Sequence, residues 1–230
     1  MHPWKLTLRL IVQAGLWLGI MAALLFGAAG NWRWPEGWAF LAIFAAGSAV
    51  LCIWLLKRDP ALLAERLKPV VQKDQPLWDR VFIIGVVIFW CVWFFLMGLD
   101  AGRWHTVAVP VWLEIVGGGM IVVGFLAIMP VFTANSFAAP VVRIQSERKQ
   151  RVIANGPYRI VRHPMYAVSM LYMFGIPLLL GSAYGLIGSA LIMLAMARRA
   201  VLEERTLQHD LDGYADYMTR VRYRLVPRVW

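Results

Sequence analysis

The sequence predicts an all-α integral membrane protein with about four full transmembrane helices and a C-terminal helical hairpin. Three observations predict it. Of 230 residues, 60% are hydrophobic and 16% charged, whereas soluble domains run nearer roughly 45–50% apolar and about 25% charged. Four stretches, at about 10–29, 38–56, 81–99 and 111–132, are apolar over the roughly 20 residues that a bilayer core demands. The basic residues, finally, segregate into alternate loops.

In the first span, Gly15, Gly19, Ala23 and Gly27 repeat every fourth residue, a stripe of small residues for close helix packing. Its apolar run is long enough to span and has no convincing cleavage site, so it is expected to stay in the protein. Trp32, Trp34 and Trp38 in the next loop, and Trp104 and Trp112 in the later one, read as interfacial anchors. In the 57–80 loop, Asp59 and Pro60 predict the N-cap and first residue of a short helix that ends before Pro69. Leu62, Leu63 and Leu67 are expected to face the bilayer, making it an interfacial helix. The fourth span carries Glu114 near one end. Its Gly117-Gly118-Gly119 run follows no strand, so it is read as a packing feature rather than a cofactor-binding turn. Segment 141–153, β-prone at both ends, predicts a small hairpin. The apolar stretch 166–197 is too short for two full spans and is interrupted by Gly175, Pro177, Gly181 and Gly185. It predicts a tight helical hairpin whose second helix runs on into the polar C-terminal segment.

The formal charge of +10 is distributed by topology. Lys57, Arg58, Arg66, Lys68, Lys73 and Arg80 lie between the second and third spans. Arg143, Arg148, Lys149, Arg151, Arg159 and Arg162 follow the fourth, and seven Arg occupy 198–228. Only Arg33 and Arg103 fall in the alternate loops. The positive-inside rule therefore puts both termini and the 57–80 and 133–165 loops in the cytoplasm. Nucleic acid is not needed to explain the charge. Cys52 and Cys91 lie in apolar runs, which excludes a disulfide framework. His2, His105, His163 and His209 are scattered without a ligand spacing, so no metal site is expected.

Chemistry-bearing residues gather late in the chain. In the run from Asn155 to Tyr166, Gly156-Pro157 predicts a turn and Pro164 a helix start. A helix N-terminus at the membrane surface suits an anionic group; the other reading is a snorkelling basic collar. Arg198, Arg199, Glu203, Glu204 and Arg205 end the last apolar helix, where Arg199 and Glu203 stand one turn apart and can pair. They read either as a solvated helix end or, with the Arg162-His163-Pro164 segment, as a site of mixed charge beside a lipid-facing hairpin. Tyr214 and Tyr217, with Asp210, Asp212 and Asp216, form either a helix covering that site or an interfacial tail.

Gly156-Pro157-Tyr158, Arg162-His163-Pro164-Met165-Tyr166 and Glu203-Glu204 together resemble the RHPxYxG…EE signature of integral-membrane methyltransferases. These are the isoprenylcysteine carboxyl methyltransferases and the phospholipid N-methyltransferases. Segments 59–67, 135–145 and 213–230 and the Trp78-Asp79 pair are similar to bacterial members of the isoprenylcysteine group. One departure is Val168, where the family has Gly. The resemblance implies a cytoplasmic pocket for S-adenosylmethionine, a lipophilic or lipidated substrate, and a bacterial inner membrane. It implies one integrated unit: membrane helices over 1–132 and a catalytic region over 133–230. It assigns Gly156, Pro157, Tyr158, Arg162, His163, Pro164, Tyr166, Glu203 and Glu204 to the cofactor, and Arg199, Glu204 and Arg162 to catalysis, with no metal. The acceptor it favours is the carboxylate of a prenylated cysteine, which is already ionised and needs only orientation. An amine would need a base, for which Glu204 is the candidate; a thiol would need activation that no residue here supplies. An NADPH-dependent reductase of the sterol-reductase type is the alternative outside methyl transfer.

Overall fold

The computed structural model describes residues 3–230, so His2 lies outside the described residues. Among them there is no strand. Five helices are long and apolar enough to cross a membrane: α1 (Pro3–Ala29), α2 (Pro35–Arg58), α4 (Leu77–Leu99), α5 (Val111–Ala134) and α7 (Ala183–Asp210). Short helices are α3 (Pro60–Arg66), α6 (Pro164–Leu180) and α8 (Tyr214–Arg220). The fifth long helix is the second arm of the hairpin. Its 28 residues outrun the apolar stretch, and the polar half from Arg198 onward projects beyond it. Gly181 turns the hairpin at φ +74°, and the Ser182 hydroxyl caps α7 by accepting from the Gly185 N–H at 3.0 Å.

α5 and α6 meet backbone to backbone. A Cβ on Gly117 would lie 2.5 Å from the Leu179 nitrogen and 2.6 Å from the Gly175 carbonyl oxygen. Within the triple glycine, Gly117 is therefore the packing residue that the sequence context implies, while Gly119 meets open space. Trp93 of α4 crosses to α7, donating its indole N–H to the Gly185 carbonyl at 2.9 Å. At the same end, buried Asp100 accepts from the Ser182 hydroxyl at 2.7 Å and the Tyr184 N–H at 3.0 Å. Those bonds fix the α6–α7 turn against the foot of α4.

Four sequence expectations are corrected. Leu62, Leu63 and Leu67 do not face lipid. They are buried against Leu55, Ile128, Val131 and Phe132, so α3 closes the end of the bundle instead of floating on it. The helix start is as expected: Asp59 accepts from the Leu62 N–H at 2.9 Å, with Pro60 at the first position. Segment 141–153 is not a hairpin but irregular chain around a 3-10 turn, Ser146–Arg148. Side chains capture its backbone groups, as where Gln150 accepts from the Gln145 N–H at 2.7 Å. Trp34 is buried, while Trp32, Trp38, Trp104 and Trp112 are exposed as anchors should be. The stripe Gly15, Gly19, Ala23 and Gly27 faces outward, and a Cβ at Gly15, Gly19 or Gly27 would meet nothing within 4 Å among the described residues.

Replacing Gly117 by Val should lower stability by about 1–3 kcal/mol, the usual cost of overpacking. Thermal unfolding of the purified protein checks this, with Gly119→Val, which meets open space, as the control.

Candidate functional site

One end of the bundle gathers the ends of α2, α5 and α7, the starts of α4 and α6, and the two irregular segments between α5 and α6. There a cleft opens with about 780 Å³ of space, counting its mouth. Its walls combine Asn135, Phe137, Ala138, Ala139 and Val141–Arg143 from the chain after α5 with Tyr158, Arg162, His163, Met165 and Tyr166. Gln150–Ile153, Glu203, Leu207, Leu211, Tyr214 and Tyr217 complete it. α8 thus covers the cleft rather than trailing on the surface.

Local chemistry explains how the motif is held. Gly156 adopts φ +55° and opens a 3-10 turn, Gly156–Arg159, which delivers Tyr158 inward. Asn135 donates to the Tyr158 hydroxyl at 2.9 Å, and the Tyr217 hydroxyl donates to the Tyr158 carbonyl at 2.8 Å. Burial pushes the Tyr217 phenol up to about 12, so it stays a donor. Pro164 then starts α6 with His163 at its N-cap position.

The two adjacent glutamates do different things. Glu204 is 3% exposed and turned away from the cleft. It accepts from Arg162 Nε at 2.6 Å and Arg224 Nε at 2.9 Å, and lies 3.2 Å from His163 Nε2. Arg162 also donates to the carbonyls of Val221 and Arg222, and the N–H groups of Arg162 and His163 bond the carbonyls of Tyr223 and Arg224. The carboxylate therefore ties α7, the motif and the C-terminal chain into one block. Glu203 instead lines the cleft. Its Oε2 accepts from the Tyr166 hydroxyl at 2.6 Å, and the Tyr166 ring stacks on His163 with centroids 5.4 Å apart. Glu203 is the acidic residue among those lining the cleft.

Arg199 does not pair with Glu203. Its guanidinium donates from Nε to Asp79 Oδ1 at 2.9 Å and to the Pro140 carbonyl at 2.8 Å, beneath the ring of Tyr166. Asp79, fully buried at the start of α4, also accepts from the Val142 N–H at 2.8 Å and Gln75 Nε2 at 2.7 Å. This second network positions the 140–142 wall. Of the sequence candidates, Tyr158, Arg162, His163, Tyr166 and Glu203 line the cleft, whereas Gly156, Pro157, Pro164, Arg199 and Glu204 support it from behind.

Sequence reasoning missed Asp79 as the partner of Arg199, and the wall residues Asn135, Arg143 and Gln150. Arg143 bonds Glu65 of α3 at 2.9 Å and Glu147 at 2.6 Å, which draws Glu147 below the usual carboxylate range. Its Nε is the buried side-chain polar atom that has no partner among the described residues. A single carboxylate early in an apolar helix was the available signal for Asp79; nothing in spacing points to a cation so far along the chain.

Glu204→Ala should cost about 3–5 kcal/mol, because it strands the buried Arg162 cation and removes the partner of half-buried Arg224. Thermal unfolding should show the loss, and Glu203→Ala, removing a partly exposed carboxylate, should cost far less.

No curated protein matches the chain. Residues 112–211, which run from the start of α5 through the motif to the end of α7, match the family model for phospholipid methyltransferases. That family is related to the isoprenylcysteine carboxyl methyltransferases that the motifs resemble. Through the segment that builds the cleft, this helical membrane protein is thus similar to the phospholipid methyltransferases.

Proposed function

We propose that the protein transfers a methyl group from S-adenosylmethionine to the carboxylate of a prenylated cysteine or a similar lipophilic acid, from a cytoplasmic cleft. The observation that carries this reading is the division of labour between Glu203 and Glu204. One carboxylate stands in the cleft, and the other is saturated by three partners behind it.

The residues present fit such a cofactor. Glu203, held by Tyr166, offers a negative group to an ammonium or ribose donor. Arg143 brings a buried donor with no partner of its own, suited to a carboxylate. Val141, Val152, Ile153 and Tyr214 supply an apolar and aromatic slot for a planar base. When bound, S-adenosylmethionine supplies a methyl carbon activated by its sulfonium. The protein's remaining task is to orient an acceptor in line with that carbon and exclude water. An acceptor carboxylate is already a nucleophile, so the lack of a free base in Glu204 is no obstacle. In this reading Arg162 and Arg199, with Glu204, position the walls rather than touch the reacting atoms.

A second reading is methylation of a phospholipid amine, which the family match favours. It would need Glu203 as the base.

Transfer of label from S-adenosylmethionine to a panel of prenylcysteines, lipid amines and thiols separates the two. Turnover of prenylcysteines is expected, whereas turnover of amines alone would overturn the first reading. S-adenosylmethionine should raise the unfolding temperature and NADPH should not; the reverse would favour a reductase. Glu203→Gln should weaken cofactor binding by calorimetry about tenfold or more, since it removes a charge-assisted bond, and Tyr166→Phe should weaken it less.

A further inference from the structure

Arg66, at the end of α3, is a cation without a counter-ion among the described residues. Nη1 donates to the Ala138 carbonyl at 2.9 Å and lies 3.7 Å from the Met165 sulfur; the guanidinium carbon sits 4.6 Å over the Phe132 ring. Among the described residues no carboxylate pairs with it, and Nε and Nη2 make no hydrogen bond. Burial lowers its pKa to about 10, which leaves it charged at neutral pH. Its electrostatic neighbours, Cys52, Tyr158 and Tyr172, carry no charge there.

An apolar groove approaches the same spot. It runs between α2 and α5, past Gly47, Val50 and Leu51 on one side and Val122, Phe125 and Met129 on the other. Both helices run toward the cleft end. Phe132, which carries the guanidinium, is one turn beyond Met129, and Cys52 follows Leu51. Ala138 and Met165, the two contacts of Nη1, also line the cleft. An apolar groove, a half-buried cation and the cleft wall thus meet at one end of the bundle.

We propose that Arg66 binds the acid group of the methyl acceptor while the acceptor's hydrocarbon chain lies in the α2–α5 groove. The substrate class is an anionic single-chain amphiphile, read by a charge at the membrane boundary and a slot beneath it. The inference rests on the carboxylate-acceptor reading above, which it deepens. A half-buried cation with no carboxylate partner among the described residues is costly, and an incoming carboxylate removes that cost only in the complex.

The test uses the full chain in nanodiscs of phosphatidylcholine, with N-acetyl-S-farnesylcysteine and its carboxamide as probes. Wild-type protein should bind the carboxylate about tenfold tighter than the amide, the range of a charge-assisted bond. Arg66→Met should bring the ratio near one, and Arg66→Lys should restore part of it. Val50→Trp, which fills the groove without touching Arg66, should weaken both probes and spare S-adenosylmethionine. Equal binding of the probes by wild type, or an unchanged preference in Arg66→Met, overturns the proposal. So does displacement of the probe by phosphatidylglycerol with no effect of Val50→Trp, which would mark a headgroup site. A retained carboxylate preference without methylation of any prenylcysteine would refute only the proposed reaction and support the anion site.

Discussion

Everything at the cleft end depends on one buried carboxylate. Glu204 lies on a helix whose neighbours are apolar, and its charge is tolerable only because Arg162, His163 and Arg224 surround it. Those three come from two other parts of the chain. Satisfying one charge therefore fixes the motif before α6, the last helix of the bundle and the C-terminal segment relative to one another. The adjacent Glu203 is then left in the cleft at a defined place, steadied by Tyr166.

Arg199, five residues earlier on α7, repeats the arrangement with the signs reversed. There a buried cation is met by Asp79 and the Pro140 carbonyl, and Asp79 in turn holds the Val142 N–H. Tyr166 lies between the two networks, against Arg199 on one side and His163 on the other. The cleft walls are irregular chain, yet they are bonded at Asn135, Pro140 and Val142 to groups from elsewhere. This is how loops acquire the fixed geometry that positioning chemistry requires.

Much of this was legible in the sequence. Hydropathy and length located the long helices, Asp59-Pro60 the start of α3, and Gly156-Pro157 and Pro164 the two turns that shape the motif. These signals are local: the residues involved act on their own backbone. What was not legible depends on distance. The leucines of α3 face inward because the bundle end needs closing, which the periodicity of seven residues does not reveal. Segment 141–153 has strand-like residues but no partner strand, and Gln145 and Gln150 take its hydrogen bonds. Among the motif's charged residues, which line the cleft and which brace it depends on partners such as Asp79 and Arg224, whose separation in the chain carries no period.

The Arg199–Asp79 bond spans 120 residues, and this has a consequence for biosynthesis. Asp79 enters with α4, when its cation has not yet been made. The early helices thus carry an uncompensated acid at their boundary until α7 arrives. The Pro140 carbonyl of the cleft wall likewise lacks its Arg199 donor until then. Membrane insertion can proceed helix by helix, but the cleft closes only in a late step that joins the two halves of the chain.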